Sequence, residues 1–316
     1  MIINKKIAFL FPGQGAQYPG MGKDIYDGDK KLSEYFDHLC SKVNFDLKKI
    51  CFEGPVELLS RTDYSQPAIF AVSLLCLKYF ENSISSFCPV FTAGLSLGEY
   101  AALVASRVLT PDEGMNLVAK RARLMHEAGA KNPGRMASVI GLDEAVIQEI
   151  CSGLCEGGNY VCVANLNCPG QIVVSGSISG LEKFQPLALS AGARQFVFLK
   201  VSGAFHSDLM KDVVEEFSHV LSFVDFKTAK IPVISNVTAD VVRDKAEYQF
   251  VLASQLSSPV LWQASVERMI QSGVETFVQM GPGKILKGLI RRIDKRKSVI
   301  NVECLNDLQQ FQEWLK

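Results

Sequence analysis

Short apolar runs alternate along the chain with longer segments in which apolar residues recur at helical spacing. This alternation predicts a parallel sheet with helices on its faces. Strands are predicted at 7–11, 90–93, 231–237, 275–280 and 299–302, and helices at 69–80, from 98, at 111–128, at 208–223, near 249 and 266, at 284–293 and from 306.

The segment 136–201 has a different order of elements. Its pattern predicts strand, helix, strand, strand, helix and strand, at 136–142, 144–151, 160–166, 171–175, 178–191 and 195–201. A β-α-β-β-α-β order is typical of the ferredoxin-like split motif and is complete in itself. We therefore predict an α/β fold. A larger, α/β-hydrolase-like domain with a mainly parallel sheet, residues 1–128 and 203–316, carries an inserted ferredoxin-like subdomain, residues 129–202.

Composition narrows the class of protein. The 316 residues are 48% hydrophobic with 33 basic and 33 acidic side chains, so net charge favours binding to neither nucleic acid nor a membrane. Nine cysteines, without any Cys-x-x-Cys pair, indicate thiols in a reducing compartment and neither a disulfide framework nor a zinc site. No apolar stretch approaches the roughly 18 to 20 residues of a membrane span. We expect a cytoplasmic protein.

Ser96 is the first candidate for chemistry. It stands in Gly94-Leu95-Ser96-Leu97-Gly98, between a predicted strand and a predicted helix. This is the context of a nucleophile elbow, in which flanking glycines permit a sharp turn and the hydroxyl lies at the positive end of the helix.

A serine nucleophile needs a base, and the chain has four histidines. His206 lies in a small-residue loop before a predicted helix, where it can face the same crevice as Ser96. Position alone leaves the roles of base and of plain loop histidine equally open for it. His38, His126 and His219 lie in predicted helices, where surface, core or capping roles suffice.

The loop after the first strand, Phe11-Pro12-Gly13-Gln14-Gly15, lacks the third glycine of a dinucleotide fingerprint. Its glycines either form a tight turn or bring the backbone N–H of Gln14 close to a ligand oxygen, as an oxyanion hole requires.

Arg121 has an unusual position for a charged residue. Its helix begins with the capping box Thr110-Pro111-Asp112-Glu113, and Arg121 falls in the flank of the apolar stripe. A guanidinium there extends to solvent, joins an internal salt bridge or binds an anion such as a carboxylate.

A basic run follows near the C-terminus. Seven cations and one acid, Asp294, lie within 14 residues, so the run is either a solvated helix end or a docking surface for an acidic protein. The cations are Lys284, Lys287, Arg291, Arg292, Lys295, Arg296 and Lys297.

Seven motifs, in order over nearly the whole chain, resemble those of malonyl-CoA:acyl carrier protein transacylases. They are Phe11-Pro12-Gly13-Gln14-Gly15, Gly94-Leu95-Ser96-Leu97-Gly98-Glu99-Tyr100, Arg121-x-x-x-Met125, Asn165-Leu166-Asn167-Cys168-Pro169-Gly170-Gln171, Phe205-His206-Ser207, Gln255-Leu256 with Pro259-Val260, and Gly281-Pro282-Gly283-Lys284.

The resemblance implies a ping-pong malonyl transfer that supplies fatty acid synthesis and uses neither cofactor nor metal. Ser96 would be the nucleophile and His206 its base, oriented by the backbone carbonyl of Gln255. The backbone N–H groups of Gln14 and Leu97 would form the oxyanion hole. Asp208, which spacing alone favours as the orienting group, becomes the weaker candidate.

The resemblance also implies how substrates are bound. Arg121 would bind the malonyl carboxylate, and the bulk of Phe205 would exclude an α-methyl group. Acyl carrier protein is then the acidic partner expected at the basic run, on Lys284, Lys287, Arg291 and Arg292.

One position departs from the family pattern, because Leu95 stands where members usually have histidine. The departure removes a polar side chain beside the nucleophile. Three other functions stay open: a serine hydrolase, an acyltransferase for a different acyl-CoA, and a non-catalytic binding protein. An α/β-hydrolase is disfavoured because the chain has no His-Gly-Gly-Gly motif and about a third of it follows His206.

Overall fold

A five-stranded parallel sheet is the centre of the larger unit in the computed structural model, which describes residues 6–84 and 88–315. The larger domain that we predict also includes residues that lie outside the described ranges, namely 1–5, 85–87 and 316. The first elements are β1 (Ile7–Phe11), α1 (Lys23–Gly28), α2 (Lys30–Cys40), α3 (Leu47–Glu53), α4 (Val56–Leu59), α5 (Thr62–Ser83), β2 (Phe91–Gly94), α6 (Gly98–Ala105) and α7 (Pro111–Lys131).

A smaller unit follows and is succeeded by the rest of the larger one. The small unit contains β3 (Gly134–Ile140), α8 (Glu144–Glu156), β4 (Val161–Cys168), β5 (Gln171–Ser177), α9 (Ile178–Ser190) and β6 (Gln195–Phe198). After a 3₁₀ turn come α10 (Lys211–Ser222), β7 (Val233–Ile234), α11 (Lys245–Ser254), α12 (Trp262–Gln271), β8 (Thr276–Met280), α13 (Ile285–Ile293), β9 (Ser298–Val302) and α14 (Leu305–Leu315).

The two sheets have different topologies. The larger sheet has the order β7-β2-β1-β8-β9 with every pairing parallel. The smaller sheet has the order β4-β5-β3-β6 with every pairing antiparallel. An α/β fold with a parallel sheet and a separate antiparallel sheet is therefore confirmed.

The apolar pattern explains how the larger sheet is buried on both faces. All five residues of β1 are buried, and successive side chains of a strand point to opposite faces. Phe9 and Phe11 accordingly join one core cluster with α5, α6 and α7, whereas Ala8 and Leu10 join a second with α12 and α13. The small sheet has its own core with α8 and α9.

The register of the parallel strands positions the site. Phe11 pairs with Gly94, and Ala93 pairs with Ile234, so β1, β2 and β7 end at one edge of the sheet. The loops that leave this edge begin at Pro12, Leu95 and Ser235. Residues from three distant parts of the sequence thus meet at the carboxyl ends of the strands.

Some predicted bounds are wrong. The helix expected to end before Gly129 continues to Lys131. Gly129 is a point of close packing and not a helix end, since an added Cβ would lie 2.5 Å from the Ser202 oxygen. The helix expected from residue 69 begins at Thr62 and contains Pro67. The strand expected at 231–237 has two residues. None of the helices in the described ranges has an apolar stretch of the length that a membrane span requires.

Candidate active site

The turn between β2 and α6 requires glycine on both sides of Ser96. An added Cβ on Gly94 would lie 1.9 Å from the carbonyl carbon of Gly98, and one on Gly98 would lie 2.2 Å from the Phe11 oxygen. Ser96 itself has a φ of 50°, in the left-handed region. A strained, tightly packed turn of this kind has the geometry that a nucleophile elbow requires.

His206 lies directly opposite the serine. Its Nε2 is 2.8 Å from the Ser96 Oγ, and its Nδ1 is 2.7 Å from the main-chain oxygen of Gln255. Because a carbonyl only accepts, the proton is on Nδ1 and the Nε2 lone pair faces the hydroxyl. Burial and the charge of Arg121 lower the pKa of His206 to about 4, so the imidazole is neutral at pH 7.

Arg121 is buried beside this pair, with 1% of its surface exposed. Its Nη1 donates to Gln66 Oε1 at 2.7 Å, and its Nη2 donates to Gln255 Oε1 at 2.9 Å and to Ser96 Oγ at 3.0 Å. Its Nε–H has no acceptor within the described part of the chain. The guanidinium therefore neither reaches solvent nor forms an ion pair with a described side-chain carboxylate, and it is held instead by neutral acceptors.

A polar network lies beneath the elbow. The Asn236 amide joins two main-chain groups: its Oδ1 accepts from the Ser96 N–H at 2.6 Å, and its Nδ2 donates to the Gly94 oxygen at 2.7 Å. The Glu99 carboxylate accepts from Gln255 Nε2 at 2.6 Å and from the Asn236 N–H at 3.2 Å. Burial raises the pKa of Glu99 to about 7, although these hydrogen bonds and Arg121 oppose the shift.

Two backbone N–H groups near Ser96 are available. The N–H groups of Gln14 and Leu97 donate to no atom in residues 6–84 and 88–315. Leu97 occupies the N-cap position of α6. The Gln14 loop packs against the elbow, since an added Cβ on Gly13 would lie 2.4 Å from the Leu95 oxygen. This close approach favours the oxyanion-hole interpretation over a simple tight turn.

Ser96, His206 and Arg121 line one cavity of about 490 Å³ between the two units, whereas Glu99, Asn236 and Gln255 lie behind its wall. The larger unit contributes Gln14, Ser96, Arg121, Phe205 and His206, together with Ile285 and Leu289 of α13. The small unit contributes Ser138 and Asn167, whose buried Oγ and Oδ1 lack hydrogen-bond partners among the described residues. The cavity therefore extends from Ser96 to a wall that carries these two unpartnered polar atoms among the described residues.

The remaining histidines lie outside this cavity. The exposed His38 is 2.8 Å from Asp112, the His126 Nδ1 is 3.9 Å from Asp63, and His219 packs against Phe223. Asp208, the alternative orienting group, pairs with Lys211 at 2.9 Å while His206 uses the Gln255 carbonyl. All nine cysteines are free, and the described ranges contain no group of three or more His, Cys, Asp or Glu that could hold a metal.

The basic run is mostly exposed along α13. Lys287 and Arg291 form no ion pair within the described ranges, whereas Lys284 lies 3.7 Å from Glu303 and Arg292 donates to Gln171 at 2.5 Å. Because Ile285 and Leu289 line the cavity, free cations lie on a helix at its wall.

Sequence reasoning missed three polar side chains of the site: Gln66, Asn236 and the role of Glu99. Asn236 offered a signal, since it directly follows a predicted strand at the edge where ligands bind. Gln66 offered none, because Pro67 beside it obscured the start of its helix.

Comparison with known proteins gives a consistent result. The acyl transferase domain family matches residues 8–309. Malonyl CoA-acyl carrier protein transacylase of Bacillus subtilis (strain 168) is 43% identical over 297 residues, which cover 94% of this chain and 93% of that protein.

Solved structures of similar proteins agree with the sequence comparison. The malonyl-CoA:acyl carrier protein transacylase of Xanthomonas oryzae pv. oryzae superposes with a TM-score of 0.94 at 34% identity, covering 98% of both chains. A malonyl-transacylase in complex with its type II PKS acyl-carrier protein gives a TM-score of 0.94 at 32% identity, covering 98% of this chain and 99% of that one.

Proposed function

The chain belongs to the acyl transferase domain family and transfers malonyl groups from malonyl-CoA to acyl carrier protein, and we propose that it does so through an ester on Ser96. The observation that carries this mechanism is the buried guanidinium of Arg121, which lies 3.0 Å from the Ser96 hydroxyl without a carboxylate partner in the described part of the chain. A malonyl group places a carboxylate two bonds from the carbonyl under attack, so one substrate satisfies both residues.

The first half-reaction loads the enzyme. His206 Nε2 takes the Ser96 proton, and Oγ attacks the thioester carbonyl of malonyl-CoA. The N–H groups of Gln14 and Leu97 stabilise the oxyanion that develops. As the intermediate collapses, the C–S bond breaks, and His206 returns its proton to the leaving thiolate to give free CoA and malonyl-Ser96.

The second half-reaction reverses these roles. The phosphopantetheine thiol of acyl carrier protein gives its proton to His206 Nε2, and the sulfur attacks the malonyl ester. The same N–H groups hold the second oxyanion. The C–O bond to Ser96 then breaks, and His206 protonates the serine oxygen.

The substrate itself tunes the base. Arg121 is one cause of the lowered pKa of His206. A malonyl carboxylate bound to Arg121 neutralises that charge, so malonyl binding makes His206 a stronger base when a proton must be removed. Phe205, which also lines the cavity, limits the room for a substituent on the α-carbon.

The remaining cavity suits the pantetheine arm. On its wall the Ser138 Oγ and the Asn167 Oδ1 have no partner among the described residues, and a pantetheine chain carries two amide groups that can donate hydrogen bonds to them. Acyl carrier protein then docks on α13 and the residue before it, through Lys284, Lys287, Arg291 and Arg292. Lys287 and Arg291 are the principal contacts, because they are exposed and form no ion pair with any described residue. We propose that this reaction takes place in the cytoplasm with neither cofactor nor metal.

The same proposal extends to the domains. Residues 1–128 and 203–316 form the α/β-hydrolase-like catalytic domain, and residues 129–202 form a ferredoxin-like subdomain. The β-α-β-β-α-β order and the sheet order β4-β5-β3-β6 support the second assignment.

Intact mass after brief exposure to malonyl-CoA tests the mechanism. We expect wild type to gain one malonyl group and Ser96→Ala to gain none. An adduct that persists in Ser96→Ala would overturn the assignment. With carrier protein added, malonyl carrier protein should form faster than free malonate, whereas the reverse order would favour a serine hydrolase.

A further inference from the structure

We propose that Glu99 is a positioning residue for acyl selectivity: it orients the side-chain amide of Gln255, which in turn holds the guanidinium of Arg121 beside Ser96. This inference rests on the proposed function, in which Arg121 binds the malonyl carboxylate. Glu99 lies below the elbow, with 1% of its surface exposed, and does not line the cavity itself.

The donor and acceptor pattern fixes the Gln255 amide. Its Nε2 donates to Glu99 at 2.6 Å and to the Ser96 main-chain oxygen at 3.2 Å, while its Oε1 accepts from Arg121 Nη2 at 2.9 Å. A flipped amide would place its NH₂ against the guanidinium, donor against donor, and its oxygen against the Glu99 carboxylate. Glu99 therefore determines which end of the amide faces Arg121.

Gln255 holds the two functional residues through different atoms. Its main-chain oxygen accepts from His206 Nδ1, whereas its side chain contacts Arg121. Movement of the side chain thus displaces the carboxylate-binding group and leaves the orientation of the base in place. Loss of the Glu99 contact should therefore reduce malonyl loading more than loading of an acyl group without a carboxylate.

Both hydrogen bonds that Glu99 accepts end on one oxygen, Oε2. A glutamine can place its carbonyl oxygen there, so Glu99→Gln keeps the hydrogen bonds and removes the charge. Aspartate keeps the charge, but its oxygens are withdrawn by one C–C bond of about 1.5 Å. The two variants therefore separate position from charge. The pKa of Glu99, about 7, favours a role for the position of the acceptor oxygen over a role for the charge, because a half-ionised carboxyl still offers that oxygen.

The test measures kcat/KM for loading of Ser96 from malonyl-CoA and from acetyl-CoA. We expect Glu99→Asp to lower the malonyl-to-acetyl ratio about tenfold, the effect of one weakened charged hydrogen bond, while Glu99→Gln keeps the ratio. The reverse pattern would overturn the proposal, since charge would then matter and position would not. An equal fall for both substrates in Glu99→Asp would also overturn it, because that is the effect of general structural damage.

Two further variants complete the design. Gln255→Leu removes the amide and keeps the main-chain carbonyl, so it should lower the same ratio even if Glu99→Asp fails to fold. Arg121→Ala separates the two proposals. A ratio that collapses in Arg121→Ala but not in Glu99→Asp or Gln255→Leu overturns only the role of Glu99, whereas an unchanged ratio in Arg121→Ala overturns both.

Discussion

The main-chain oxygen of Gln255 accepts a hydrogen bond from His206 Nδ1 at 2.7 Å. This single contact fixes the tautomer that a general base requires, with the Nε2 lone pair toward Ser96. An acidic side chain, the third member of a catalytic triad, is therefore unnecessary to orient His206. A neutral carbonyl also does less than a carboxylate to raise the basicity of the imidazole, and this agrees with the lowered pKa of His206.

The pH dependence of loading follows from that pKa. Because the pKa of His206 is lowered from 6.5 to about 4, the base stays neutral at pH 5, and the rate should fall only as the pH drops through about 4. Single-turnover acylation from acetyl-CoA reports this best, since that substrate carries no carboxylate of its own. A midpoint near 6.5 would contradict the lowered pKa.

His206→Ala is the control for this profile. Loss of general acid-base catalysis should slow both half-reactions by roughly 10² to 10⁴ and remove the acidic limb of the profile. An unchanged transfer rate would assign the base elsewhere.

The basic run along α13 gives a prediction about the second half-reaction alone. Reversal of Lys287, Arg291 and Arg292 to glutamate should weaken use of carrier protein in a salt-dependent way while malonyl loading stays normal. Because Arg292 also bonds Gln171, the double variant at Lys287 and Arg291 is the cleaner test. Steady-state kinetics with carrier protein varied at two salt concentrations measure the effect.

The matched control for charge reversal is Lys183→Glu. Lys183 is exposed on α9, which contributes no residue to the cavity wall. Its reversal should leave carrier protein use unchanged. Equal damage to both half-reactions in the α13 variants would indicate a folding role for the basic run.

Local features of the sequence predicted the elbow and the position of Arg121, because glycine spacing and helical phase depend on neighbouring residues. The network around them is not local. Arg121 meets Gln66 across 55 positions, Ser96 meets Asn236 across 140, and Glu99 meets Gln255 across 156. Only the register of the parallel strands and the packing of the helices on them bring these partners together.

The same distinction holds for the fold. Elements of the small unit were predicted in the right order because each alternates or repeats clearly. Of the four short helices α1 to α4, only the part of α2 around His38 was predicted, since each has between 4 and 11 residues and most of their side chains are polar or exposed. Tertiary packing, more than propensity, stabilises helices of that length.

Glu99 and His206 should change the stability of the protein with pH in opposite directions. The pKa of Glu99 rises from 4.5 to about 7 on folding, so the folded state binds more protons between these values and stability falls as the pH rises through them. Glu99→Gln should therefore gain stability relative to wild type from pH 4.5 to 7 and no further above that. Urea unfolding at several pH values measures this difference.

His206→Ala provides a control of opposite sign. The pKa of His206 falls on folding, so the wild type loses stability as the pH drops from 6.5 to about 4, and the variant lacks that loss. A difference between Glu99→Gln and wild type that does not vary with pH would contradict the raised pKa of Glu99.

Arg121→Ala should change which acyl group the enzyme accepts. In the free protein the guanidinium is held by Gln66 and Gln255, yet no described carboxylate forms an ion pair with it. Malonyl loading should fall roughly 10²-fold, about 3 kcal/mol, because a buried, charged hydrogen-bonded pair is lost and the substrate carboxylate is left unpaired. Acetyl loading should change little or rise, since a desolvated cation no longer faces its methyl group.

Arg121→Lys separates charge from shape in the same assay. Lysine keeps the charge but lacks the planar fork that binds a carboxylate through two parallel bonds, so malonyl loading should recover only in part. The measurement is acyl-Ser96 formation from malonyl-CoA and acetyl-CoA in all three proteins. A proportional fall for both substrates in Arg121→Ala would make the residue structural. The buried cation would then stabilise the elbow through Ser96 and Gln255, and carboxylate recognition would have to come from another residue of the cavity.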